Sequence, residues 1–262
     1  MLWLEELRRL HDSALSVDWK ECVDALNQRP SLGGQERFQL SFENLPPLWF
    51  NGDVESLTPG HWTLVVSLNH QLDPNPPHSA TELWDRARFH NRVHWYPRFF
   101  SPLVRVACAA LDESVPEDES EYATTRMVFV ELCPYASRQF SLSPEQVAEL
   151  AATDPGFEVA AKVRQLLLQE AEPALVLVNG SRSVESFESV AKDQLDGWRE
   201  LVYASVDSEK RRLRQWHGLL LTSAGKIPVV GFPFLRTVRS HNSYTEIRQL
   251  GELARVFVRE QA

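Results

Sequence analysis

The chain has 262 residues, 43% hydrophobic and 24% charged, which is an ordinary composition for a globular protein with a sizeable core. Its formal net charge of −9 argues against indiscriminate binding to nucleic acids, although basic residues gathered on one surface would still permit DNA binding. No apolar run approaches the roughly 18 residues of a membrane helix and the N-terminus lacks a signal-peptide core, so we expect a cytoplasmic protein without a membrane partner.

The first 44 residues predict two short helices and a short strand that pack on the rest of the chain. We therefore divide the chain into this N-terminal segment, residues 1–44, and a main α/β core, residues 45–262. The positions behind this prediction are Trp3, Leu7, Leu10 and Ala14 for the first helix, Asp18 as the cap of the second, and the alternating Phe38, Leu40 and Phe42 for the strand.

Four apolar runs in the core alternate with helical segments, and each run ends in a distinctive tip. Such alternation predicts a single α/β domain with a central, mostly parallel, four-stranded sheet flanked by helices. The tips should gather at the carboxyl edge of the sheet, where open α/β folds place their sites. The runs and tips are 64–68 with LNHQ, 127–130 with ELCPY, 174–178 with VNGS, and 227–231 with GFPFLR.

Several local signals place the remaining elements. Ser143 and Gln146 form a capping box that opens a helix, and a further helix is expected over 155–170. Ser181 or Ser183 is positioned to cap the helix after the third run. The other predictions are a solvated loop over 112–121, a hairpin joining 216–221 to 226–230, and a terminal helix from about Ser243.

Taken in order, the four tips resemble the motifs of the uracil-DNA glycosylase superfamily over roughly residues 45–250. Ser67-Leu68-Asn69-His70 is similar to that family's first motif, in which a strand ends in G-Q-D-P or G-M-N-P. Residues 131–135, ELCPY, resemble its N-L-C-P-L strand end, and Asn179-Gly180-Ser181 its Gly-Ser-type turn. Residues 232–236, FPFLR, stand at the place of its H-P-S-P motif and wedge residue.

The resemblance implies a monofunctional DNA glycosylase that flips a base into a pocket, hydrolyses its N-glycosidic bond and leaves an abasic site. It implies DNA as the partner, no obligate protein partner, no cofactor and no metal. The residues to which it assigns roles are Asn69, His70 and Asp73 for catalysis, Glu131, Tyr135, Tyr96 and Asn179 for base recognition, and Leu235, Arg236, Arg239 and His241 for DNA contact. Arg88, Arg92 and Arg98 are further candidates for phosphate contact, and Trp95, Phe99 and Phe100 for base stacking.

Two departures from the family pattern bear on the substrate. Glu131 replaces the Asn that pairs with the base edge, and a carboxylate only accepts hydrogen bonds unless it is protonated. Glu131 therefore favours a base with an exocyclic amine, such as cytosine, and a modified cytosine is the sensible target because excising ordinary cytosine would be self-destructive. Phe232 replaces the catalytic His, for which His70, His241 and His217 are the candidate substitutes.

Other interpretations remain open. Glu131 can be a structural ion-pair or helix-dipole partner, and His70 can simply bind a loop carbonyl. The functional rivals are a uracil or deaminated-base repair enzyme, a catalytically inactive member of the fold that binds DNA or a nucleotide, and a small-molecule or protein-interaction role. Defence against phage DNA that carries modified cytosine is one biological setting for the leading hypothesis. Three cysteines without a paired spacing predict reduced thiols.

Overall fold

A computed structural model describes residues 2–32, 37–40, 45–69, 80–137, 140–235 and 242–261; the side chains of Asn69, Ala80 and Thr81 are not described. The helices of the described residues are α1 (Leu2–Ala14), α2 (Trp19–Asn27), α3 (Ala80–Val93), α4 (Pro97–Ala110), α5 (Glu119–Thr125), α6 (Pro144–Thr153), α7 (Pro155–Gln169), α8 (Ser181–Ala191) and α9 (Tyr244–Gln261). The strands are β1 (Thr63–Asn69), β2 (Met127–Cys133), β3 (Leu175–Asn179), β4 (Leu195–Ser205), β5 (Ser208–Thr222) and β6 (Gly225–Phe232).

These strands form one mixed sheet in the order β2-β1-β3-β6-β5-β4. The first four are parallel neighbours, and β5 and β4 extend the sheet with antiparallel pairings. The α/β class and the hairpin between β5 and β6 are confirmed. The predicted number of four strands is wrong, because β4 and β5 extend the sheet to six strands. Strand β4 has no counterpart in the prediction, and β5 begins at Ser208 rather than near Trp216.

The parallel strands separate two hydrophobic clusters, because successive side chains of a strand point to opposite faces. Val65 and Phe129 belong to the cluster formed with α4 and α9, which we call the α4/α9 face. Leu64, Val66 and Val130 belong to the larger cluster on the other face, which also receives α1, α2, α6, α7 and α8. Residues of the N-terminal segment thus share a core with the sheet.

Most of the predicted helix starts are confirmed, and one is wrong. Asp18 accepts a hydrogen bond from the Glu21 amide at 2.9 Å, and Ser143 forms the predicted capping box with Gln146. The third start is the wrong one. Gly180 is the N-cap residue of α8, and no side chain forms a capping hydrogen bond there, so neither Ser181 nor Ser183 caps the helix. Ser183 instead donates its hydroxyl proton to the Asn179 carbonyl at 2.8 Å.

Three further predictions meet the structure with different results. The segment predicted as a loop over 112–121 ends early, because α5 begins at Glu119 after an Asp118 cap. The predicted strand around Phe38 is reduced to one bridge between Gln39 and Ala136, and Phe42 lies outside the described residues. All three cysteines are free. None of the described helices is long and apolar enough to cross a membrane.

Candidate functional site

A row of four residues crosses the carboxyl end of the parallel strands on the α4/α9 face. Ser67 on β1 is paired in register with Glu131 on β2, and Asn179 on β3 is paired with Phe232 on β6. Ser67 also lies beside Asn179, because the β1–β3 register pairs the residues immediately before them. The row therefore reads Glu131, Ser67, Asn179 and Phe232, and strand alternation places all four side chains on one face. We call it the polar row.

Three atoms of the polar row are buried without a hydrogen-bond partner. They are Ser67 Oγ, Glu131 Oε2 and Asn179 Nδ2, and none has a partner among the described residues. A buried polar atom left unpaired costs about 1–3 kcal/mol, and most such atoms in folded proteins are satisfied. Because the three come from adjacent strands at one level, they can be satisfied together by one ligand with several polar atoms.

Glu131 is the titratable member of the row. Burial alone raises the pKa of its carboxyl group from 4.5 to about 8. No cation of the described residues contributes to this pKa shift, so the structural ion-pair interpretation finds no partner there. At neutral pH the side chain is therefore mainly a carboxylic acid, which has one donor and one acceptor rather than two acceptors.

Asn179 has a structural task as well as an unpaired amide. Its Oδ1 accepts a hydrogen bond from the Leu235 backbone amide at 2.7 Å. The turn after it holds the same loop, since Gly180 N donates to Phe232 O at 2.9 Å and Ser181 N donates to Pro233 O at 2.6 Å. The loop after β6 is thus fixed to the end of β3, and the Asn179 Nδ2 group is left for another acceptor.

Leu235 does not have the exposure that a DNA wedge requires. Its side chain is only 1% exposed and packs in the cluster on the α4/α9 face. The prediction that Leu235 contacts DNA is corrected on this ground, because a wedge residue has to project from the surface to enter the base stack.

Aromatic rings from the start of α4 lie close to the polar row. Phe100 packs edge to face on Phe129, with ring centroids 5.2 Å apart, and Phe129 precedes Glu131 by two residues on the same face of β2. Trp95 stacks on Phe100 at 5.3 Å. Phe99 contacts Phe234 at 6.3 Å, which joins this cluster to the loop after β6. Tyr96, at the start of α4, is 44% exposed.

Tyr135 lies away from the row, contrary to its predicted role in base recognition. Its ring is fully buried in the cluster on the opposite face, between Phe38 and Phe157. Its hydroxyl donates to Asp154 Oδ1 at 3.0 Å, so its polar atom is already used within the fold. The ELCPY segment thus contributes Glu131 to the site and Tyr135 to the core.

The predicted catalytic residues are only partly described. The backbone of Asn69 ends β1 in register with Cys133, two residues beyond Ser67. His70 and Asp73 lie outside the described residues, as do Arg236, Arg239 and His241. Burial raises the pKa of the Cys133 thiol well above its ordinary value, which disfavours a nucleophilic thiolate.

Two other candidates have structural partners. His217 stacks on Phe257 at 4.4 Å and shares a 2.8 Å hydrogen bond with Gln215. Burial, followed by the charge of Arg199, lowers the pKa of His217 to about 4, so it is neutral at neutral pH. Arg88 forms ion pairs with Asp53 at 2.7 Å and Glu55 at 2.8 Å, and it is therefore used within the fold.

Ser67 is the member of the row that sequence reasoning missed. A serine two residues before a strand end looks like part of an apolar run, but its alternation with Val65 would have placed it beside Glu131. Among the described residues no group of three His, Cys, Asp or Glu side chains could hold a metal ion. Comparison with models of known protein families found no match, and comparison with curated proteins found no significant match.

Proposed function

We propose that the protein is a monofunctional DNA glycosylase that releases a flipped, modified cytosine and leaves an abasic site. The observation that carries the proposal is the polar row, in which three buried polar atoms without a hydrogen-bond partner in the described part of the chain lie side by side at the carboxyl edge of the sheet. An edge of a nucleobase has three adjacent polar atoms in a plane. An enzyme that acts on a base in DNA has to read that edge in a pocket, after extruding the base from the stack.

The row has donors and acceptors that complement cytosine. A protonated Glu131 can donate to the ring N3 of cytosine and accept from its N4 amino group, since a carboxylic acid has one donor oxygen and one acceptor oxygen. The Asn179 Nδ2 group can donate to O2 of the base. Ser67 lies between these two residues, and its hydroxyl can either donate or accept a hydrogen bond, so it can bond a donor or an acceptor on the edge of the base.

The same proton can assist bond cleavage. When the bond from C1′ of the sugar to N1 of cytosine breaks, its electron pair passes to the base. Transfer of the Glu131 proton to N3 neutralises the departing base, which is general acid catalysis of the kind that contributes about 10²–10⁴ in rate. Water attacks C1′, its proton passes to solvent, and solvent later returns a proton to Glu131.

Positioning the water and stacking the base are assigned to other residues of the site. From the family resemblance, Asn69 positions the water, with His70 or Asp73 assisting. The rings of Trp95, Phe99 and Phe100 supply an apolar wall close to the row, which supports base stacking there.

Uracil is the closest rival substrate, because a neutral Glu131 could also accept from uracil N3–H and donate to O4. Cytosine is preferred because its N3 can receive the proton of Glu131, whereas N3 of uracil already carries one. A modification is required for selectivity against the cell's own cytosine, and phage DNA with hydroxymethylated or glucosylated cytosine is a source of such bases.

A second candidate function is DNA or nucleotide binding without catalysis. It is favoured by Phe232, which fills the fourth place of the row with a buried apolar side chain where the resembling family has a histidine. This candidate uses the same polar row to hold a base, and it forms no abasic product.

The test is a base-release assay on single- and double-stranded oligonucleotides that carry uracil, cytosine, 5-methylcytosine, 5-hydroxymethylcytosine or its glucosylated form. We expect strand cleavage by alkali at one cytosine derivative, abolished in Glu131→Leu and kept in the control Glu149→Gln, which alters an exposed carboxylate on α6. Release of uracil alone would overturn the cytosine proposal. Tight binding without product from any base would favour the second candidate.

A further inference from the structure

The antiparallel strands extend beyond the parallel sheet on the side of the polar row. The last pair between β5 and β6 joins Trp216 to Gly231, so residues 208–215 of β5 have only β4 as a strand neighbour. Because β5 runs antiparallel to β6, this part lies beyond the carboxyl edge of the parallel strands. At about 3.3 Å per residue it projects by about 20 Å. We call residues 201–214 the ribbon.

The ribbon is held firmly by the start of α9. Ser205 donates its hydroxyl proton to Glu246 Oε1 at 2.6 Å. Gln249 bonds the ribbon at two points, accepting from Val206 N at 3.0 Å and donating to Ala204 O at 2.7 Å. These bonds hold the turn of the ribbon in one position before any ligand arrives.

Positive charge is concentrated on the ribbon of a protein with a net charge of −9. Within the ribbon, the four basic residues Lys210, Arg211, Arg212 and Arg214 stand against two acidic residues, Asp207 and Glu209. Arg211 pairs with Glu246 at 3.2 Å, and Arg214 pairs with Glu200. Arg212 bonds only the Glu209 carbonyl, at 2.6 Å, and neither it nor Lys210 has a carboxylate partner in the described part of the chain.

A cleft of about 390 Å³ lies between the ribbon and the loop after β6, and Phe232 is the residue of the polar row that lines it. Arginines of the ribbon form one wall, and the loop after β6 forms the other. No acidic residue lines the cleft within the described part of the protein. Its described lining includes Arg211, Arg212, Arg214, Phe232, Phe234 and Asn242. Since Phe232 ends the polar row, an anion in this cleft would lie next to the proposed base pocket.

We propose that the ribbon binds the phosphates of the DNA strand that flank the extruded nucleotide, with Lys210 and Arg212 as the principal contacts. This inference rests on the proposed function for the identity of the partner. Lys210 and Arg212 are both exposed two residues apart on β5, and Arg212 also lines the cleft. Guanidinium groups suit phosphate oxygens, and such contacts set the register of a protein on DNA without reading its sequence.

The experiment measures binding to a fluorescein-labelled duplex without any modified base, by anisotropy over about 50–200 mM salt. The variant is Lys210→Ala with Arg212→Ala. The control is Lys192→Ala with Lys226→Ala, which removes the same charge at the opposite end of β5 from exposed positions. We expect the ribbon variant to bind at least about tenfold more weakly, and the slope of log affinity against log salt to fall by about 2. The control should keep the wild-type slope.

Equal slopes for the wild type and the ribbon variant would overturn the inference, as would tighter binding to RNA of the same sequence. A failure of the ribbon is separable from a failure of the glycosylase proposal, because the duplex holds no substrate base. If the wild type releases a base but the ribbon variant keeps the wild-type salt slope, only the proposal of phosphate binding by the ribbon is contradicted. If the ribbon variant loses slope but no base is released from any substrate, only the glycosylase proposal is contradicted. If the wild type does not bind the duplex at all, both proposals are contradicted.

Discussion

Ser67 and Glu131 lie side by side on neighbouring parallel strands, and the buried Ser67 Oγ and Glu131 Oε2 both lack hydrogen-bond partners among the described residues. A stable core would satisfy these atoms or replace them with apolar groups. Their persistence together, with Asn179 Nδ2 one strand away, is what a pocket for a polar, planar ligand requires.

Replacing Glu131 by Gln should change how stability depends on pH. The folded-state pKa of about 8 exceeds the unfolded value of 4.5, so between these values the folded protein holds a proton that the unfolded chain has lost. Rising pH therefore destabilises the wild type, by up to about 1.4 kcal/mol per pH unit. Glu131→Gln has no carboxyl group to titrate, so its free energy of unfolding should not fall in this way. Urea unfolding of both proteins at about pH 6 and pH 8 measures the difference. An equal pH dependence in both proteins would contradict the claim that Glu131 is a neutral acid in the folded state.

Removing the Asn179 side chain should loosen the loop after β6. Asn179→Ala deletes the acceptor of the Leu235 amide, and we expect a loss of about 1–2 kcal/mol in the free energy of unfolding. Ser181→Ala is the matched control, because its hydroxyl bonds the same loop only at 3.4 Å and its loss should cost less. Equal losses in the two variants would show that the Asn179 bond does not fix the loop.

Tyr135→Phe separates a structural role from base recognition. Deletion of the hydroxyl that donates to Asp154 should lower the free energy of unfolding by about 1–2 kcal/mol. Base release by the folded variant should be unchanged, since Tyr135 faces the opposite cluster. Tyr244→Phe, at a residue that is 63% exposed, serves as the control for stability. A drop in release without a drop in stability would return Tyr135 to the base pocket.

Gly180→Ala should destabilise the turn between β3 and α8. Gly180 has φ +118°, a backbone angle that residues with a side chain rarely adopt, and a Cβ there would lie 2.9 Å from Ser183 Oγ. We expect a loss of about 1–3 kcal/mol in thermal or urea unfolding. Gly225 has φ +144° with open space around it, so Gly225→Ala isolates the backbone strain from the contact. Gly225→Ala should lower the free energy of unfolding by less than Gly180→Ala does. A larger loss in Gly225→Ala would refute the claim that a close contact with Ser183 adds to the strain at Gly180.

The sequence predicted the elements whose signals are local. Asp18 and Ser143 cap helices as expected, and continuous apolar runs became the buried strands β1, β2, β3 and β6. Strand β4 was missed because most of its side chains, including Val202, are exposed or half-buried on both faces. A strand without a buried face has no periodic pattern that indicates it.

The candidate site was predictable where a polar residue ends a buried strand, as Glu131 and Asn179 do. Tyr135 was misplaced because its role depends on how the chain turns after Cys133, where the β2 alternation ceases to apply. A run of charged residues such as 210–214, which holds Arg211 and Arg214, is in general typical of a solvated face. Their place beside the site depends on β5 continuing past β6, which is a property of the tertiary fold rather than of the local sequence.

The most direct test of the central claim is the single-turnover rate of base release, followed from about pH 6 to pH 9 in the wild type and in Glu131→Gln. The oligonucleotide carries the cytosine derivative that is released fastest. If Glu131 gives its proton to the base, the wild-type rate falls about tenfold per pH unit above about pH 8, and the Gln variant is slower by about 10²–10⁴ with a flat profile. Parallel profiles with similar rates would contradict the claim that Glu131 recognises and protonates the leaving base.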